Sequence, residues 1–178
     1  GAGIIVGSFP TGTSTATSVP NFGLQNVSGD ATWLGTPASA NWIPGSGSAN
    51  WGLGGTRFPG ATSGRTNAHT ATFLTSSSPS IAINSATLNV KNLTFGVSGS
   101  EPSSFTIGSP GGNSLFLTSG GAVSIPSGTI AGGGHTETVN APLLLEPPSS
   151  TTAGTYTFSN DASSANLLLH IVSSVKRG

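Results

Sequence analysis

The stretch "NLTFGVSGSEPSSFTIGSPGGNSLFLTSGGAVSIPSGTI", residues 92–130, consists of short apolar runs that stop and restart. The runs are Leu93-Thr94-Phe95, Phe105-Thr106-Ile107, Leu115-Phe116-Leu117, Val123-Ser124-Ile125 and Thr129-Ile130. Their β-branched and aromatic residues often stand two apart, the period of a strand with one face inward. Between them lie Ser98-Gly99-Ser100, Ser109-Pro110-Gly111-Gly112, Ser119-Gly120-Gly121 and Pro126-Ser127-Gly128. These are turn formers, because Gly accepts positive φ and Pro fixes its own. A helix of three turns has no room here.

The rest of the chain keeps the same beat. With 27 Gly and 12 Pro among 178 residues, no segment sustains a 3.6-residue apolar period, so the chain is expected to be all-β. Charged residues make up 6% of the sequence, against about 25% in an ordinary soluble domain, and the net charge is zero. A neutral surface of Ser, Thr, Asn and Gly lacks self-repulsion, which favours association. The basic residues Arg57, Arg65, Lys91, Lys176 and Arg177 are too few and too scattered for the clustered phosphate contacts that nucleic acid requires. No run approaches the roughly 18 apolar residues of a membrane-spanning helix, so no membrane span is expected. Cysteine is absent, which removes disulfides and thiolate metal sites. Gly1-Ala2-Gly3 without an initiator Met predicts an N-terminus processed at small residues, as after removal of a signal peptide.

Three textures divide the chain. Residues 1–29 begin with an apolar strand containing Ile4, Ile5, Val6 and Phe9, followed by the Thr/Ser-rich "TGTSTATSVPN", and are expected to form an extended arm. Residues 30–178 are expected to form one β domain. Its leading segment, 30–70, carries Trp33, Trp42 and Trp51 at nine-residue intervals in "ATWLGTPASANWIPGSGSANWGLGG". Short strands at such intervals fit a β-solenoid or an antiparallel β-sandwich or jelly roll, and periodicity alone does not separate them.

The course "SIAINSATLNVKNLTFGV", "SFTIG", "SLFLTSGGAVSI", "TIAGGGHTETVNAPLLLE" and "YTFSNDASSANLLLHI" resembles the autotransporter-associated β-strand repeats of large bacterial secreted and surface proteins. The Trp-bearing "TWLG", "ANW" and "NW" resemble the segment that often precedes those repeats. The similarity spans roughly residues 30–172. It implies a right-handed parallel β-solenoid, secreted or displayed at the cell surface, with an adhesive or structural role and no catalytic residues to carry over. This chain is shorter than such proteins usually are.

The inventory for chemistry is short: Asp30, Glu101, Glu137, Glu146 and Asp161, with His69, His135 and His170. His135 and Glu137 are two apart, so a strand would turn both to one side, where they could bond to each other or share a metal. Two ligands do not complete a metal site. His170, within "LLLHIV", is expected to alternate outward or to be satisfied by a backbone carbonyl. No Gly-x-Ser-x-Gly elbow occurs, and the Gly-rich stretches lack the Lys of a phosphate loop. No catalytic residue, metal or cofactor is therefore expected. Trp33, Trp42 and Trp51 either stack on a ligand such as a sugar or cap an open end of the core.

The reading that results is an extracellular structural protein, a filament, sheath or matrix subunit that polymerises with itself through β edges or by donating the strand with Ile4, Ile5, Val6 and Phe9. The alternative is an adhesin or carbohydrate-binding module that holds surface polysaccharide on the tryptophans.

Overall fold

The computed structural model describes residues 28–64, 67–149, 151–164, 166–172 and 175–177. The expected N-terminal strand with Ile4, Ile5, Val6 and Phe9 lies outside them. Eleven strands are formed in chain order: β1 (Ala31–Thr32), β2 (Thr70–Phe73), β3 (Ser80–Ile81), β4 (Asn89–Phe95), β5 (Thr106–Ile107), β6 (Leu115–Ile125), β7 (His135–Val139), β8 (Leu143–Leu145), β9 (Thr157–Asn160), β10 (Leu167–Ile171) and β11 (Val175–Arg177). There is no helix among the described residues. The all-β class holds.

The strands form two sheets. A seven-stranded sheet runs β1-β2-β4-β6-β8-β11, with β9 also on β6, and a four-stranded sheet runs β10-β7-β5-β3. Every ladder between these strands is parallel. The antiparallel sandwich is therefore not what forms. Antiparallel contacts among the described residues are isolated bridges such as Trp33–Trp51 and Ala61–Asn89. Inward alternation is identical for either strand direction, so the apolar pattern carried no information on this point.

Following the register shows how the chain climbs. One column runs Ala71, Leu93, Val123 and Phe158, with steps of 22 residues (Ala71 to Leu93), 30 (Leu93 to Val123) and 35 (Val123 to Phe158). A second runs Val90, Leu117 and Leu145, and a third, on the other sheet, runs Ile81, Ile107, Val139 and Ile171. From β2 onward the chain visits the three columns in a repeating order, and successive visits to a column pair in parallel. Parallel strands need long crossovers; here the crossover is itself a strand of the neighbouring facet.

The corner between the first two columns lies within β6. Leu117 pairs with Val90 and Ala122 with Asn92, so the four residues Thr118–Gly121 face the single residue Lys91. Gly120 takes φ +75°, and a Cβ on Gly121 would stand 2.3 Å from the Lys91 carbonyl oxygen. Only glycine allows that backbone approach. The columns meet in one core, where Ala71, Leu93, Val123, Ile107, Val139, Val90 and Leu117 are fully buried.

Candidate assembly surface

The two ends of this stack differ. At the β1 end, Trp33 meets Trp51 edge-on at 5.0 Å, Trp42 lies 4.8 Å from Trp51, and both Trp42 and Trp51 pack on Phe73. Phe73 stacks in turn on Phe95 at 5.0 Å and touches Phe105 at 5.2 Å, carrying the aromatic column into the core. Each indole N–H is satisfied: Trp33 donates to Ser78 O (3.1 Å), Trp42 to Pro59 O (2.9 Å) and Trp51 to Trp42 O (2.7 Å). Buried indoles need such partners.

The same segment covers the first strand of every column. Gly52 N donates to Thr32 O and Leu34 N to Asn50 O, sealing β1. Trp42 N donates to Ala82 O and Ala82 N to Ala40 O beside β3, while Ala61 and Asn89 exchange both backbone bonds at β4. Buried Asn50 braces the cap by donating to Asn41 O and Ser39 Oγ and accepting from Ser39 N.

With all three rings at most 1% exposed, none presents an open face at the surface in this conformation. The rings are large apolar groups beside an otherwise unsealed core, and burial there outweighs exposure. A cleft of about 560 Å³ on the four-stranded sheet, lined by Ile81, Ile83, Thr106, Ser109 and Asn113 among others, also lacks aromatic and charged side chains.

The opposite end has no such cover among the described residues. There β9 pairs with β6, β10 with β7 and β11 with β8, and no described strand lies on their outer edges. Phe158 stands at the register position where Ala71, Leu93 and Val123 are fully buried, yet it is 40% exposed. Leu168 (56%) and Val172 (51%) are exposed as well, Leu168 at the register of Thr136 on the outward face of its sheet. β9 and β10 read Thr-Phe-Ser-Asn and Leu-Leu-Leu-His-Ile, with no Lys, Glu or Pro of the kind that keeps sheet edges from pairing, whereas β11 carries Lys176 and Arg177.

The ionisable groups fall into different places from those the sequence suggested. His135 and Glu137 do not meet. His135 Nε2 lies 2.9 Å from Glu101 Oε1, an acid 34 residues earlier, while Glu137 turns fully into the core and accepts from Phe105 N at 2.9 Å. Glu101, not singled out as a partner in the sequence, is delivered by the stacking of one pass on the next, and no local pattern announces it. His170 is exposed on β10, and His69 Nδ1 accepts from Gly60 N. No group of three or more His, Cys, Asp or Glu converges among the described residues. No helix there is long and apolar enough to cross a membrane.

No protein-family model matches the chain. No curated protein and no solved structure matches it either.

Proposed function

We propose that the chain is an extracellular or cell-surface structural protein, a three-faceted right-handed β-solenoid that polymerises with copies of itself through its uncovered end. The handedness follows from the parallel crossovers, which are almost always right-handed. The observation that carries the reading is the asymmetry of the ends: tryptophans and backbone bonds close one, while the other leaves Phe158 exposed at a core position beside the uncharged edges of β9 and β10.

An uncovered end accepts one more strand or coil, which buries the apolar patch and pairs the free backbone groups. The arm supplies a donor. Its apolar strand, with Ile4, Ile5, Val6 and Phe9, is tethered by Thr11–Asn21 to the sealed end of its own domain. Such an 11-residue tether reaches about 36–40 Å when extended. Donation from the sealed end of one copy to the open end of the next is heterologous, and heterologous contacts that do not close make filaments. The nearly uncharged surface adds no repulsion between copies.

Electron microscopy of the full chain, compared with a chain lacking residues 1–21, tests the reading. The full chain is expected to form filaments, and the truncated chain to remain folded and unassembled. Normal filaments from the truncated chain would refute strand donation, and a monodisperse full chain at high concentration would refute self-assembly. The adhesin alternative needs a binding surface other than the buried tryptophans. Retention of the monomer on a polysaccharide matrix is the result that would revive it.

A further inference from the structure

We propose that Ser104 is a nucleophile toward small, uncharged acyl esters, with His135 as its base and Glu101 as a positioning carboxylate. The three side chains form a hydrogen-bonded row assembled from successive passes of the chain. Ser104 Oγ lies 3.3 Å from His135 Nδ1, and His135 Nε2 lies 2.9 Å from Glu101 Oε1.

The donors and acceptors in this row have one consistent assignment. Glu101 Oε1 accepts from Gly132 N at 2.8 Å and from Gly133 N at 3.3 Å. Gly133 N–H first, then Gly132 N–H, holds the carboxyl below its ordinary range, so it is an anion at neutral pH. An anion there accepts the Nε2 proton of a neutral imidazole, which leaves the Nδ1 lone pair facing the Ser104 hydroxyl. Thr136 N donates to Ser104 Oγ at 3.3 Å, which occupies one oxygen lone pair and leaves the hydroxyl proton for Nδ1. This is the polarity of a nucleophile beside an oriented base, with the two ring nitrogens exchanged relative to the trypsin-type triad.

Ser104 is exposed, and its partners Glu101 and His135, with Thr75, Pro102 and Ser103, line an open cleft of about 300 Å³ whose wall does not include Ser104 itself. That cleft presents no cation, and Glu101 repels anions, which selects a neutral ester with a short acyl group over a carboxylate or phosphate. In the reaction Ser104 Oγ bonds to the acyl carbon as its proton passes to His135 Nδ1. The carbon–alkoxide bond breaks and the departing alcohol takes that proton. Water then attacks the acyl-serine by the reverse path, releasing the carboxylic acid. No oxidant, metal or further reactant is consumed. His135 lies one strand in from the edge strand β10, and the chemistry of the site does not depend on the reading above.

Incubation of the full chain with p-nitrophenyl acetate, followed by release of p-nitrophenol and by peptide mass spectrometry, tests the assignment. An acetyl group on Ser104 is expected, with the rate falling about 100-fold or more in His135→Gln, the contribution typical of a general base. Ser104→Ala, a change small enough to leave the fold intact, should abolish the adduct. Glu101→Gln should lower the turnover rate without altering KM, and Glu101→Asp should restore part of it, a pattern that a purely structural contact would not produce. An unchanged rate in Ser104→Ala, or acetylation confined to Lys91 or other sites, overturns the proposal.

Discussion

Glu137 should make the protein lose stability as the pH rises, and by an amount the structure sets. Its side chain is fully buried on β7, between the register positions of Phe105 and Leu169; Oε2 accepts from Phe105 N, and Oε1 has no hydrogen-bond partner among the described residues. Removal from water pushes the carboxyl up from 4.5 to about 8, against a smaller downward pull from the Phe105 N–H. It is therefore a neutral acid at pH 7.

Below pH 4.5 both folded and unfolded chains hold this proton, and the group confers no pH dependence. Between 4.5 and about 8 the unfolded chain releases it while the folded chain keeps it, so stability falls with each step upward, and above about 8 the loss is complete. At about 1.4 kcal/mol per pH unit over that window, the ceiling is about 5 kcal/mol, a large share of a total that is typically about 5–15 kcal/mol. Urea denaturation between pH 4 and 9 measures it. The wild-type midpoint should fall across the window, whereas Glu137→Gln, a neutral isostere that still accepts from Phe105 N, should lack this component. The difference between the two profiles removes the contributions of the histidines. Parallel profiles for the two proteins would refute the argument.

Three further outcomes follow from the fold. Trp51→Ala removes the ring that joins Trp33, Trp42 and Phe73, and should cost about 3–5 kcal/mol in urea denaturation with loss of near-ultraviolet aromatic signal. Gly121→Ala forces a methyl against the Lys91 carbonyl and should cost about 1–3 kcal/mol, whereas Gly134→Ala, with open space around it, should leave the midpoint nearly unchanged. Phe158→Asp should leave circular dichroism intact and abolish filaments by placing a charge on the open end; filaments of wild-type length would place assembly elsewhere.

How much of this was legible in advance depended on distance along the chain. The Leu93-Thr94-Phe95 and Leu115–Ile125 runs announce strands because alternation is local, and they are strands. Thr129-Ile130 looks the same in sequence but forms a corner, with Thr129 buried against Gly96 and Ile130 exposed, since two residues carry too little pattern to resist a turn at Pro126–Gly128. Strand direction was illegible because partners lie 22 or more residues apart and inward spacing is blind to orientation. The row of Glu101, His135 and Ser104 was illegible for the same reason. His135 and Glu137 do share a strand side as the alternation requires, but that side is the interior by Glu137, and the acid goes inward instead of meeting its neighbour.

The unequal steps of the register carry a consequence for how such a chain can change over evolutionary time. Strand segments in one column stay matched whether the next pass comes 22 or 35 residues later, so surplus length is stored in the corners and never reaches the core. Doubling a flexible corner costs only about 0.6 kcal/mol in closure entropy, far less than a single core truncation. An exposed corner such as Thr151–Thr152 can therefore gain or lose residues, or carry a grafted epitope, while the interior keeps its pairing. Sequence drift should accumulate there and leave the stacked columns as the chain's fixed ruler.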